Sequence, residues 1–177
     1  MPTQSEIAYA KKIHSLTFYT PPSDVINNIV TDWDDPGYIG GNPKNTWYDW
    51  HLAPTSRPVF TPPKVNSNYL EIPGLSGYLD LTDYFGTTYG SMDGSINFLV
   101  MNDYDGEWFE RKENIMGYLH GKRLNVVLND DPSKFYHGRW EVSDWANNND
   151  GSCSSITFTY HLQPQFGLTE GGDFNSG

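Results

Sequence analysis

The sequence predicts a mainly β protein, an antiparallel β-sandwich with one α-helix packed on a sheet. Three observations carry that expectation. Aromatic residues make up 15% of the chain, alongside 17 Gly and 12 Pro, a mix that suits pleated surfaces joined by tight turns. Several separate segments alternate apolar and polar residues at the two-residue period of a strand with one buried face. Only Glu107 to Leu119 repeats its apolar residues convincingly at helical spacing.

At the N-terminus, Ser5 to Leu16 places Ile7, Ala10, Ile13 and Leu16 on one side of a short amphipathic helix. Thr20-Pro21-Pro22-Ser23-Asp24 breaks it, and the polar run from Asp32 to Asn45 reads as a loop. Thr46 to Leu52 reads as a strand, with Trp47, Asp49 and His51 on one face and Tyr48, Trp50 and Leu52 on the other. The prolines between Arg57 and Pro63 make that stretch an edge or an extended connector. Tyr69 to Ile72 and Tyr78 to Leu81 flank Pro73-Gly74-Leu75-Ser76-Gly77, the punctuation of a hairpin. Ser95 to Asn102 follows as a strand buried on at least one side.

The helix carries Trp108, Ile115, Met116 and Leu119 on one face. Glu107 and Glu110 suit its positive end, and Gly121 suits a C-terminal cap. Next come two strands around a polar turn: Arg123 to Leu128, then Asn129 to Lys134, then Phe135 to Val142. Pro132 cannot donate to a ladder, and the Asn and Asp side chains cap turn backbones. Ser154 to Leu162 closes the pattern with Ile156, Phe158, Tyr160 and Leu162 in alternation. Beyond Pro164 the tail has too little apolar content to order itself.

Acidic residues outnumber basic ones 22 to 11, for a formal charge of −11. That balance argues against gripping nucleic acid, which takes Lys and Arg to neutralise phosphates. It is compatible with a surface that nucleic acid passes without sticking. Cys153 is the single cysteine, so no internal disulfide exists. The first residues hold no apolar core of a signal peptide, and nothing approaches the ~20 apolar residues of a membrane span. The expectation is a soluble protein made in a cytoplasm, with no membrane partner.

Segments that invite a chemical reading have plainer ones. Asp130 and Asp131 are adjacent, so in extended chain they point apart. Asp103-Tyr104-Asp105-Gly106 imitates a calcium loop but has Met101 and Lys112 at its first and twelfth positions. Asn147 to Gly151 fails likewise, with Ala146 and Thr157 there. The five histidines show no zinc spacing. Ser76 lies in GLSGY, not in a nucleophile elbow, and Cys153 has no evident activating base. The sequence therefore assigns no catalytic, cofactor-binding or metal-ligating residue and predicts no enzyme. A monomeric carbohydrate-binding β-sandwich, using exposed Trp and Tyr as a stacking platform for host-wall glycans, is the alternative. A two-carboxylate glycoside hydrolase would need acid and base partners on facing elements, and none is evident.

Words in the chain also resemble a family. Asn45-Thr46-Trp47-Tyr48-Asp49-Trp50-His51-Leu52-Ala53-Pro54-Thr55-Ser56-Arg57-Pro58 is similar to the opening signature of distal tail proteins from long-tailed phages of Gram-positive bacteria. Glu71-Ile72-Pro73-Gly74 with Leu79-Asp80-Leu81-Thr82 follows in the same order, then Tyr118-Leu119-His120-Gly121-Lys122-Arg123. Asp130-Asp131-Pro132 with Phe135-Tyr136-His137-Gly138-Arg139, and Ile156 to Tyr160, complete the likeness.

The resemblance implies a structural role: a homo-oligomer, a hexameric ring hub at the tail tip of the virion. Such a ring joins the tail tube protein to a tail-tip or tail-associated lysin protein, and DNA crosses its channel only in transit. Synthesis would take place in the host bacterial cytoplasm. Residues 45–164 would be the ring-forming domain, 1–44 an N-terminal arm or extension, and 165–177 a flexible tail. The carbohydrate-binding domain appended in larger relatives is not carried over.

Overall fold

The computed structural model of the chain describes residues 2–22, 39–82, 86–101, 108–149 and 152–169. The calcium-like run 103–106, the helix-start Glu107, residues 32–38 of the expected 32–45 loop and the last eight residues lie outside the described residues. Strands dominate. After helix α1 (Gln4–Lys12) come β1 (Leu16–Thr20), β2 (Gly41–Asn45) and β3 (Leu52–Pro54). Four short strands follow: β4 (Val65–Asn66), β5 (Tyr69–Leu70), β6 (Leu79–Asp80) and β7 (Thr88–Tyr89). The chain continues through β8 (Met92–Val100), helix α2 (Trp108–Leu119), β9 (Lys122–Leu128), β10 (Asp131–Asn147) and β11 (Cys153–Leu168).

Seven strands form one antiparallel sheet in the order β2-β1-β9-β10-β11-β8-β3. The cross-strand register assembles its inner face: Phe18 opposite Val126, Trp140 opposite Tyr160, Phe158 opposite Ile96, Leu52 opposite Val100. These belong to one buried core. The sheet curls strongly. From β1 to β11 is three strand spacings, about 14 Å if flat, yet the Phe18 and Phe158 ring centroids are 6.4 Å apart. One curled sheet thus supplies the facing layers that the sequence expectation assigned to a sandwich, and α2 packs on its β9 and β10 strands.

Helix α2 places Trp108, Arg111, Ile115 and Leu119 on its buried side. Gly121, at φ +72°, ends it, and its N–H donates to the Trp140 carbonyl at 2.8 Å. Helix α1 starts with a capping box: Thr3 Oγ1 accepts the Glu6 N–H at 3.2 Å while Glu6 Oε2 accepts the Thr3 N–H at 2.7 Å. It ends at Lys12, short of the expected Leu16, because His14 turns at φ +60° and Leu16 opens β1.

Three segments depart from the sequence reading. Thr46 to Trp50 is a tight turn and not a strand. The fully partnered Asn45 side chain causes this: its carbonyl accepts the Trp47 and Tyr48 N–H groups at 2.8 and 3.3 Å, and its amide donates to Ser15 and Thr17. Residues 41–45, read as loop, form edge strand β2 on β1. Residues 165–168, read as tail, extend β11 because the start of β10 offers them a partner: Phe166 faces Tyr136 and Gly167 faces Phe135. A side chain at Gly167 would collide with the Phe135 ring, so the glycine admits that ring.

Candidate assembly surface

Residues 64–82 and 86–90 form an arm of two small antiparallel ribbons outside the seven-stranded sheet, β4 with β7 and β5 with β6. Its tip follows the sequence expectation. Tyr69 faces Asp80 and Leu70 faces Leu79, around a turn in which the Leu75 N–H meets the Ile72 carbonyl at 3.1 Å. Gly74 and Gly77 take positive φ there, as the turn requires. Its root is tied to the body at the start of β8. Lys64 and Ser91 pair backbones, Lys64 Nζ lies 3.3 Å from Asp93, and Thr61 Oγ1 donates to the Asp93 carbonyl at 2.8 Å.

The arm carries many exposed apolar side chains. Val65, Tyr69, Leu70, Ile72, Leu75, Tyr78, Leu79 and Tyr89 are all exposed, Tyr69 to 56% and Tyr78 to 60%. The Tyr69 and Tyr78 rings meet at 4.5 Å between centroids, tilted by 56°, and present an aromatic tip. A two-stranded ribbon is at best marginally stable alone in water. The sequence reading found the hairpin but not its exposure. The signal was present: Tyr69, Leu70, Tyr78 and Leu79 put apolar side chains on both faces of strands too short to enter a sheet.

The residues weighed for chemistry are scattered among structural tasks. Asp130 takes His14 Nδ1 at 2.6 Å and Arg57 Nε at 2.9 Å on its two oxygens. Asp131 pairs with Lys134 at 3.5 Å. His137 is fully buried, with Nδ1 2.7 Å from Asn125 Oδ1, and burial followed by the Arg123 charge pushes its pKa down to about 4. His120 accepts the Val142 N–H at 3.1 Å. Burial pushes the Cys153 thiol up, away from the thiolate a nucleophile needs. Among the described residues, no group of three or more His, Cys, Asp or Glu could hold a metal ion, and no helix is long and apolar enough to cross a membrane. Trp47, Trp50, Trp108 and Trp140 are buried, which leaves no fully exposed Trp among the described residues for a sugar platform.

Arg111 was missed as a structural residue. It is buried, and Nη1 donates to the Trp50 and Met101 carbonyls, each at 3.0 Å. It thereby pins the first turn of α2 to the ends of the 46–50 turn and of β8.

No protein-family model and no curated protein matches the chain. Among solved structures it matches the crystal structure of the SPP1 Dit protein, described as a paradigm of the hub adsorption apparatus in phages that infect Gram-positive bacteria. The match has a TM-score of 0.51 at 15% identity and covers 84% of this chain. The fold is shared with that hub protein. The chain spans about half of that relative, 49% of its length. The Dit-like fold includes the curled seven-stranded sheet and the helix on it.

Proposed function

We propose that the protein is a structural component of a phage tail tip, a distal tail protein whose copies close into a hexameric ring. The observation that carries this reading is the exposed apolar arm of residues 64–82 and 86–90 on a Dit-like fold. A monomer gains nothing from ordering such a surface in water, whereas a ring covers it at every position. Cyclic assemblies use head-to-tail contacts that close. The open sheet edges at β2 and β3 are short, and Pro43 and Pro54 interrupt them, which limits uncontrolled edge pairing outside the ring.

In this reading the ring joins the tail tube protein to a tail-tip or tail-associated lysin protein, in the virion. DNA passes through its centre. The net charge of −11 suits passage, because carboxylates facing the lumen repel phosphates over about 8 Å at physiological salt. Electron microscopy of the purified protein and of tails carrying it tests the proposal. Sixfold rings at the tail tip are expected. A protein that stays monomeric at high concentration and is absent from tail tips would overturn it.

A further inference from the structure

Helix α2 turns one face away from the sheet. Trp108, Arg111, Ile115 and Leu119 form its buried side. Phe109, Glu113 and Gly117 follow one another at intervals of four, which aligns them as a stripe on the opposite side. The stripe is about 12 Å long. All three residues are exposed, Phe109 to 58% although it is aromatic. Gly117 stands in the third turn, and glycine is, after proline, the poorest helix former. A side chain there would meet open space, so no contact among the described residues requires a glycine. Bare backbone on an exposed helix face is what admits another backbone at close range.

Accepting the tail-hub reading, we infer that this stripe docks a basic segment of a different tail protein. Charge selects the partner. Glu110 and Glu113 are exposed on the helix, and Asp144 is exposed on β10 beside Trp145. Among the described residues the cation between them is Lys112, whose ammonium already lies over two rings, 5.0 Å from the Phe109 centroid and 5.2 Å from that of Trp145. Arg111 is buried beneath the helix, and His120 and Lys122 lie past its far end, beyond Gly117. Three exposed carboxylates therefore surround one occupied ammonium. A second copy of the chain is a poor occupant. The chain carries a charge of −11, and its apolar arm brings the carboxylates of Glu71 and Asp80 while its Lys64 already meets Asp93. Like charges set against each other select against such a pairing. A segment that offers Lys or Arg to Glu110 and Glu113, an apolar side chain to Phe109 and its own backbone to Gly117 fits every position of the stripe.

Binding of the full chain to the purified tail tube protein and to the purified tail-tip protein of the same phage tests this, by biolayer interferometry at low and high salt. The parent should bind one of them, and more weakly at high salt. Gly117→Leu, and Glu110→Lys combined with Glu113→Lys, should each weaken that binding roughly tenfold or more. Circular dichroism and self-assembly should stay as in the parent, and Gly117→Leu should melt no lower, since Leu is the better helix former. Folded variants that bind both proteins like the parent, a parent that binds neither, or variants that lose self-assembly would overturn the docking face while leaving the hub reading intact. A parent protein that neither forms rings nor enters tail tips would remove the hub reading first.

Discussion

Asp130 closes on the imidazole of His14 at 2.6 Å, across 116 positions of sequence. Its other oxygen takes Arg57 Nε at 2.9 Å. One carboxylate in the β9–β10 turn therefore ties the end of α1 to the connector that leads into the arm. Asn129 reinforces the joint, with its backbone N–H on the Ser15 carbonyl at 3.2 Å and its side-chain amide on Ser15 Oγ. Burial works to raise the Asp130 pKa, but the His14 and Arg57 contacts outweigh it and hold the carboxyl below its ordinary value. A depressed folded pKa means stability that is present above the ordinary carboxylate range, about 4, and lost as pH falls through the lower folded value. Asp130→Asn should cost about 1 kcal/mol at neutral pH, with the gap to the parent closing below pH ~4. Urea unfolding at pH 7 and pH 3 reads both numbers.

His137 acts in the other direction. It is buried and neutral, with its pKa pushed down to about 4 from an ordinary 6.5. Between those values the unfolded chain binds a proton that the folded chain refuses, so stability falls as pH drops from about 6.5 towards 4. The loss from this one group is of order 3 kcal/mol. His137→Gln should flatten that slope in a pH series of denaturation midpoints. An unchanged slope would mean His137 takes up its proton in the folded protein.

Helix α2 packs on β9 and β10 with Trp108 and Leu119 both buried. Replacing either with Ala should cost roughly 2–5 kcal/mol, the range for large-to-small changes in a core. Thermal unfolding of the two variants is the measurement. Near-neutral effects at both would contradict the packing of α2 on β9 and β10.

Gly138 sits in β10 where a side chain would run into the His161 carbonyl and the Leu162 backbone of β11. Backbone on a paired strand cannot move aside as a flexible side chain can. Gly138→Ala should therefore destabilise by about 1–3 kcal/mol, as overpacking does. A control at Gly117, which has open space around it in α2, should be neutral to slightly stabilising, since Ala is the better helix former. Chemical denaturation of the pair separates crowding from propensity.

Local pattern was enough for several elements. The period-two alternation of Phe135 to Val142 and of Ser154 to Leu162 marked the cores of β10 and β11, and Trp108, Ile115 and Leu119 marked the buried side of α2. Thr46 to Leu52 misled because its alternation is real. A strand pattern states which side chains could share a face, but the Asn45 carboxamide and the demand for the 47 and 48 N–H groups decided the turn.

The sequence by itself determined that the chain is mainly β with one helix in its middle, since side-chain period is a local property of the backbone. Tertiary structure decided the rest. It placed β1 beside β9, drew residues 165–168 into β11 and joined His14 to Asp130, all through partners far away in the chain. It also decided which apolar residues stay outside. Tyr69 and Tyr78 look like core residues in sequence, and only the pairing of their short strands outside the seven-stranded sheet leaves them exposed.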